Sequence, residues 1–395
     1  MKKMNVAETV STVLKEVRKR GIVSVLNFEK KFNGVSVSPA GLCLMPRDFS
    51  LAYRRLPEKA RRSLTEISEK IYSFQRKVRS GYKNTTYVRN GLKIRHCFTP
   101  VEKAGIYVPS GRFLYPSSVL MNAIPAKVAG VKEIYVASSK ISDALLAACH
   151  LSGVNALFRI SGAQAVAAFA YGAGKIPKVD FIAGPGNRFV TEAKRQVFGE
   201  AGIDLLAGPS EIMILADESV KKEWIIIDLA AQLEHAPETK AYFITPSKRL
   251  FNFIRGVFGR RVSAFLIKDL KEQAAKIESI APEHLLVMVK NVSRYRNRFG
   301  KCGAVFFGKY SAVAMGDYTA GPSHTLPTGG TASFASGLSA GTFLRSYAEI
   351  SYDKRSFASD CGDAVFLADE EGMENHRKSI EIRRCHEKKK PGKKK

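Results

Sequence analysis

Apolar positions recur every three to four residues in two stretches near the start of the chain, VAETVSTVLKEVRKRG and PEKARRSLTEISEKIYSFQRKVRS, with charges between them. That spacing predicts helices over residues 6 to 80, each burying one stripe and exposing the other. From Glu102 the texture changes to short apolar runs alternating with longer helical ones: GIYVPS, SSVLMNAIPAKVAG, EIYVAS, SDALLAACHLSGV, ALFRI, GAQAVAAFAYGAG, DFIAG and RFVTEAKRQVFG. Runs such as IYVAS and FIAG are apolar on both faces, as parallel strands between two layers of helix must be. A second series follows: EIMILAD, WIIIDLAAQLEH, KAYFITP, RLFNFIRGVFG, VSAFLIK, LKEQAAKIESI, HLLVMV and GAVFFG. The repeated alternation predicts an α/β fold with two tandem α/β domains. Beyond Gly337 the pattern turns helical again and ends in a helix around ADEEGMENHRKSIEIRR. No repeat with a solenoid period is present.

Composition narrows the class of protein. With 395 residues and 45% hydrophobic positions, the chain can bury substantial cores, which excludes a mostly disordered protein. The opening MKKMNVAETVSTVLKEVRKRG has a cationic end but no uninterrupted apolar stretch, and no later segment is long enough to span a bilayer, so a cytoplasmic, non-membrane protein is expected. Six cysteines (Cys43, Cys97, Cys149, Cys302, Cys361, Cys385) form no CxxC pair, which argues against a disulfide scaffold or a thiolate zinc module. Lys and Arg number 63 against 36 Asp and Glu, a net charge of +27. A nucleic-acid partner would explain such a charge. Yet residues 377–395 alone supply +8 of it and the rest is scattered, the like charges of EKKKPGKKK predict disorder over residues 387–395, and no nucleic-acid-binding motif accompanies them. Solvated basic faces are the simpler reading.

Candidate chemistry falls in the turns. PSGR (109 to 112), SGAQ (161 to 164) and GPGN (184 to 187) stand where strands meet helices, and glycines there let a backbone approach a pyrophosphate. None has the GxGxxG form, and each alone is equally a tight βα turn. In GPGN, Pro185 fixes the turn, while Asn187 can cap the next helix and donate an amide hydrogen bond to a ligand. The histidines say more. QLEHAP places Gln232 and His235 at i and i+3 of one helix, able to meet one ion. APEHLL offers Glu283 with His284, MGDYTAGPSHTLPT offers Asp317 with His324, and EEGMENHRK offers Glu371 with His376. Imidazole, carboxylate and amide oxygen together suit a borderline divalent metal, zinc first and manganese or cobalt next, in an open, substrate-facing site. His96–Cys97 and Cys149–His150 are poor nucleophile pairs because adjacent side chains point apart. AGPSE presents Ser210 in a turn, without the form of a nucleophile elbow.

These motifs, in this order from about Val10 to about Arg383, resemble the histidinol dehydrogenase family. The resemblance implies two Rossmann-like α/β domains with parallel sheets, plus small helical N- and C-terminal segments. It implies oxidation of L-histidinol through an aldehyde to L-histidine, the end of histidine biosynthesis, with two NAD⁺ and one zinc. By that resemblance Gln232, His235, Asp317 and His376 would ligate the metal, and Ser210, His324 and Glu371 would line the substrate with those ligands and His284. Tyr107, Gln164 and Asn187 would contact NAD⁺. His284, with an ordinary pKa near ~6.5, would accept the alcohol proton, and Glu283 would activate the water that hydrates the aldehyde. The family is homodimeric, with the C-terminal segment crossing over, so Glu371 and His376 would complete the neighbouring subunit's site.

The expected domains are 1–106 with 212–338 on the substrate and metal side, an inserted NAD-side domain at 107–211, and a helical dimerisation segment at 339–386. Four departures from the family stand out: PSG at 109 to 111 in place of paired glycines, Ala236 after His235, a shortened stretch between His235 and Glu283, and the Lys-rich tail. None removes a proposed catalytic residue. Two other functions fit parts of the chain: a dehydrogenase for a different amino alcohol, and a nucleic-acid-binding protein acting through the basic tail.

Overall fold

The computed structural model describes residues 5–34, 36–38, 41–110 and 114–385. Gly111 of the PSG turn and the basic tail at 387–395 therefore lie outside the described residues. Four helices open the chain: α1 (Val6–Arg20), α2 (Ile22–Asn33), α3 (Pro46–Arg55) and α4 (Glu58–Arg79), with a short strand β1 (Cys43–Leu44) before α3. Val10, Val13, Leu14 and Val17 are the buried stripe of α1, at the spacing the sequence shows. Asn5 caps this helix, accepting from the Ala7 N–H, and Gly21 ends it.

After a hairpin of β2 (Thr85–Arg89) and β3 (Leu92–Pro100), the first α/β series runs β4 (Lys103–Tyr107), α5 (Pro116–Ala129), β5 (Glu133–Ala137), α6 (Asp143–Ser152), β6 (Ala156–Phe158), α7 (Gly162–Tyr171), β7 (Phe181–Ala183), α8 (Arg188–Val197) and β8 (Gly202–Ile203). The second runs β9 (Glu211–Ala216), α9 (Lys222–Leu233), β10 (Lys240–Thr245), α10 (Lys248–Phe258), β11 (Val262–Leu266), α11 (Leu270–Ile280), β12 (His284–Met288) and β13 (Ala304–Phe307), then α12 (Val313–Tyr318). The chain closes with β14 (Leu344–Ser351), α13 (Lys354–Glu370) and α14 (Glu374–Cys385).

Two α/β sheets result, in the orders β1-β6-β5-β4-β7-β8 and β11-β10-β9-β12-β13. Every pairing is parallel except that of the edge strand β1 with β6. All six residues of β9 and all five of β12 are buried, as central parallel strands covered on both faces should be. In each sheet the chain winds outward from a central strand, β4 or β9, then returns to its other side. The reversals lie between β4 and β7 and between β9 and β12.

The expected grouping of residues 1–106 with the second series is not how these helices pack. Helices α1 and α2 pack on α7 and α8, α3 on α6, and α4 on α5, while β1 pairs with β6. Their buried stripes complete the cores around the first sheet. The first parallel strand of that sheet, β4, also begins at Lys103, ahead of the expected Tyr107.

Two compact units divide the chain: Met1–Gly81 with Pro100–Leu344, and Tyr82–Thr99 with Arg345–Lys395. The first holds both α/β sheets. The second contains a sheet of order β14-β3-β2, where a broken helical pattern was expected beyond Gly337. LRSYAEIS alternates weakly and is mostly exposed, so its strand character comes from pairing with β3, a long-range contact that periodicity does not report. The expected last helix is split, because Gly372 takes φ +68° between α13 and α14. Cys43, Cys97, Cys149, Cys302 and Cys361 are free thiols. Among the described residues no helix is long and apolar enough to cross a membrane.

Candidate active site

The titratable residues that converge do so at the beginnings of the second sheet's two central strands. Glu211 opens β9 and His284 opens the adjacent β12, whose register pairs His284 with Ile212. Glu283 and His284 are sequence neighbours and would ordinarily diverge. They converge because both are tied to the main chain of Glu211. The Glu211 N–H donates to Glu283 Oε2 at 2.8 Å, and His284 Nδ1 donates to the Glu211 carbonyl at 3.1 Å. Glu283 Oε2 then lies 3.5 Å from His284 Nδ1, with both side chains almost wholly buried.

This arrangement sets the ring's tautomer. With its proton on Nδ1, neutral His284 carries the lone pair on Nε2, which is buried and has no hydrogen-bond partner. Asp317 Oδ1, from α12, lies 3.8 Å from that nitrogen. Burial favours the uncharged ring, but the carboxylates of Glu283 and Asp317, with the Glu211 carbonyl, outweigh it and push the pKa up to about 9. The expectation of an ordinary value thus fails, since it ignored the two carboxylates the fold brings to the ring.

The backbone around this centre leaves little slack. Ala281 ends α11 in the left-handed region at φ +48°, turning the chain through Pro282 into Glu283. A Cβ on Gly303 would come within 2.6 Å of the Glu283 carbonyl oxygen. One on Gly316 would meet the Phe306 ring at 2.5 Å, just before Asp317.

His324 plays a bracing part. Its Nδ1 donates to the Asp317 carbonyl at 3.1 Å, and its Nε2 accepts from Ser118 Oγ of α5 at 3.2 Å. Burial lowers its pKa more than nearby Asp317 raises it, so the ring is neutral. Asn122 of α5 accepts from Thr325 Oγ1 at 3.0 Å, and Thr328 Oγ1 accepts from the Gly208 N–H. The GPSHTLPT segment is thereby fastened to the first sheet's helices and to the loop before β9. Glu211 is the member that sequence reading passed over. Its side chain, 2% exposed, accepts from the Gly329 N–H at 3.1 Å and pairs with Lys240 at 3.2 Å. A charged residue opening the wholly apolar strand EIMILA was the visible sign.

Ser210 stands half-buried beside Glu211, and its carbonyl accepts from the Lys240 N–H at 3.0 Å. Gln232 and His235 are not on one helix as expected. Helix α9 ends at Leu233, Gln232 is buried, and His235 is exposed beyond the end with Nδ1 3.3 Å from the Ala231 carbonyl. Pro237 accounts for the early stop. Glu371 caps α13 and His376 lies on α14, both in the second compact unit. Among the described residues no three His, Cys, Asp or Glu side chains gather closely enough to hold a metal ion.

On the first sheet, the cofactor candidates flank the reversal between β4 and β7, the usual ligand crevice of such sheets. Gly184 takes φ +115°, and a Cβ there would fall 2.1 Å from the Tyr107 carbonyl oxygen, so only glycine lets the two loops meet. Asn187 caps α8, its Oδ1 accepting from Phe189 and Val190 N–H at 3.0 and 3.2 Å, which leaves its amide nitrogen to donate. Tyr107 and Gln164 are buried. The Tyr107 hydroxyl accepts from the Gly162 N–H at 3.2 Å, and burial pushes its pKa up to about 12. Glu29 of α2 accepts from the Ser161 N–H at 3.0 Å and from Gln164 Nε2 at 2.9 Å, so a protein carboxylate already fills the N-terminus of α7.

Two like-wound parallel sheets, a glycine-lined crevice on one and a buried imidazole between carboxylates on the other, define an α/β enzyme equipped for acid–base chemistry. Comparison with known proteins makes this specific. The family model described as histidinol dehydrogenase matches residues 1–384. The chain is 40% identical over 404 residues to the histidinol dehydrogenase of Chlorobium luteolum, covering 96% of this chain and 90% of that one. It is 36% identical over 396 residues to that of Parasynechococcus marenigrum, with coverage of 95% and 90%. The crystal structure of histidinol dehydrogenase from Elizabethkingia anophelis superposes with a TM-score of 0.88 at 26% identity, over 97% of this chain and 93% of that one. The chain belongs to the histidinol dehydrogenase family, and is thus an oxidoreductase of histidine biosynthesis.

Proposed function

We propose that this chain oxidises L-histidinol to L-histidinal and on to L-histidine, consuming two NAD⁺ and one water, with a zinc ion in the site. The observation that carries the reading is the unpartnered Nε2 of His284, buried and aimed toward Asp317 in a chain of this family. The donors assigned to the metal, namely Gln232, His235, Asp317 and His376, are nitrogen and oxygen without sulfur, which suits an open zinc site. When bound, zinc would hold the substrate's imidazole and amine as a template, and NAD⁺ would take one hydride in each step.

The protein's own groups divide the work. With Asp317 on zinc, one of the two carboxylate charges that raise the His284 pKa is offset, and the neutral ring then takes the hydroxyl proton on Nε2 as the first hydride leaves, while Glu211 holds it by Nδ1. Glu283, with Oε2 occupied by the Glu211 N–H, uses its other oxygen to draw a proton from the water that hydrates the aldehyde. Loss of the second hydride from that hydrate yields the carboxylate. Ser210, His324 and Glu371 line the substrate, Glu371 facing its ammonium group, and Tyr107, Gln164 and Asn187 receive NAD⁺. Glu371 and His376 are supplied across a homodimer.

The test is NADH formation from L-histidinol and NAD⁺ by the purified protein, before chelation, after it, and after zinc is restored. Two NADH per histidinol, lost with the metal and regained with zinc, is the expected outcome. A folded, zinc-loaded dimer that forms no NADH would overturn the proposal.

A further inference from the structure

Beneath the GPGN turn lies an ion pair that no step of the reaction uses. Lys194 of α8 and Asp204, just after β8, are in contact with side chains 2% and 1% exposed. Together they grip Gly184 by both its polar atoms. Lys194 Nζ donates to the Gly184 carbonyl at 3.0 Å, and the Gly184 N–H donates to Asp204 Oδ2 at 2.8 Å. Asp204 Oδ1 also accepts from the Leu205 N–H at 2.7 Å. One residue of the turn is thus clamped between a charge on helix α8 and one just past strand β8, at the place where it meets the end of β4.

Withdrawing two charges from water is costly, and a well-packed apolar pair commonly holds a fold as firmly. Stability alone gives no reason for a charged pair here. An apolar pair, however, could not satisfy the N–H and the carbonyl of a buried glycine, and so could not fix the direction in which the chain leaves it. That direction decides where Pro185, Gly186 and Asn187 lie at the sheet's reversal.

We propose that Lys194 and Asp204 are positioning residues for the cofactor side of the reaction, holding the GPGN turn so that Asn187 can donate to NAD⁺. The inference rests on the reading of Asn187 as a cofactor contact. Its test is the K194M/D204N variant of the full-length enzyme, which leaves no uncompensated charge and keeps an acceptor for the Gly184 N–H. The KM for NAD⁺ should rise by about tenfold, the scale of one lost hydrogen bond from a charged donor. The kcat and the KM for L-histidinol should stay within about twofold, and amide exchange over 184–187 should quicken. An unchanged KM for NAD⁺, or equal shifts in both KM values, would overturn the assignment.

If the double variant does not fold, K194Q/D204N leaves no unpaired charge and keeps a neutral donor for the Gly184 carbonyl, and should show the same selective rise on a smaller scale. Should the wild-type protein make no NADH from histidinol, the reaction reading fails by itself. NADH binding followed by fluorescence then decides the anchor: weaker binding in K194M/D204N supports it, and equal binding refutes it.

Discussion

Apart from the antiparallel edge strand β1, the first sheet runs β6, β5, β4, β7, β8 and the second runs β11, β10, β9, β12, β13, the same winding twice. They differ in which end of the strands carries chemistry. In the first, the glycine turns stand at the carboxyl ends of β4 and β7, where ligands of open α/β sheets ordinarily lie. In the second, Glu211, Glu283 and His284 stand at the amino ends of β9 and β12. The second sheet's carboxyl end has a 420 Å³ cavity lined by Asp217, Glu218, Ser219, Pro246, Ser247 and Lys290. Its two carboxylates are spent on the lining itself, since Asp217 accepts from Ser219 and Lys290 N–H at 3.0 and 2.9 Å and Glu218 Oε1 accepts from Ser247 Oγ. Acidic, internally satisfied walls do not suit an anionic dinucleotide. The same winding thus supports a cofactor crevice in one copy and an acid–base centre at the opposite end of the other, so topology alone does not locate a site.

The largest expected effects test the acid–base end. His284→Asn should slow L-histidinol oxidation by roughly 10²–10⁴-fold, the usual worth of a positioned base. Glu283→Gln keeps an oxygen for the Glu211 N–H but cannot take a proton, so it should slow oxidation of supplied L-histidinal more than the alcohol step. Steady-state rates on the two substrates separate these roles. Equal losses on both substrates in both variants would sink the division of labour between Glu283 and His284.

Two glycines sharpen the contrast with smaller effects. Gly303→Ala would put a Cβ 2.6 Å from the Glu283 carbonyl, and Gly184→Ala would put one 2.1 Å from the Tyr107 carbonyl. Each should cost about 1–3 kcal/mol of stability, as overpacking does. Their kinetic signatures should part: Gly303→Ala lowers kcat and spares the KM for NAD⁺, whereas Gly184→Ala raises that KM. The same signature from both would mean that the two ends do not act separately.

Every run in the two β-α series became the strand or helix its apolar pattern indicated, because each buries its own face and the pattern records that burial. What escaped was pairing at long range. β14 is a strand through its contact with β3, and the N-terminal helices belong to the first sheet through packing that no local signal states. The site divides in the same way. Glu283 and His284 were legible as a motif, but Glu211, which brings them together through its main chain, reads only as a charge before an apolar strand. The helix end that separates His235 from Gln232 was written in Pro237 and outweighed by the attraction of an i, i+3 spacing.

The smallest effect concerns the first sheet, where Glu29 occupies the N-terminus of α7. Burial raises the pKa of its carboxyl above the ordinary 4.5, against the hydrogen bonds from Ser161, Gln164 and Asn33 that lower it. A carboxyl that holds its proton more tightly when folded supports the fold fully below the unfolded value, and that support is lost as pH rises through the folded one. Glu29→Gln removes the charge while keeping one oxygen for the Ser161 and Gln164 donors. The new amide nitrogen replaces Oε1, which is buried without a partner, and so adds an offset that does not vary with pH. The melting temperature of the variant, measured against the wild type, should therefore improve as pH rises from 5 to 8. A difference that stays constant across that range would mean that Glu29 is not held above its ordinary value, and that the α7 N-terminus stabilises its charge as fully as water does.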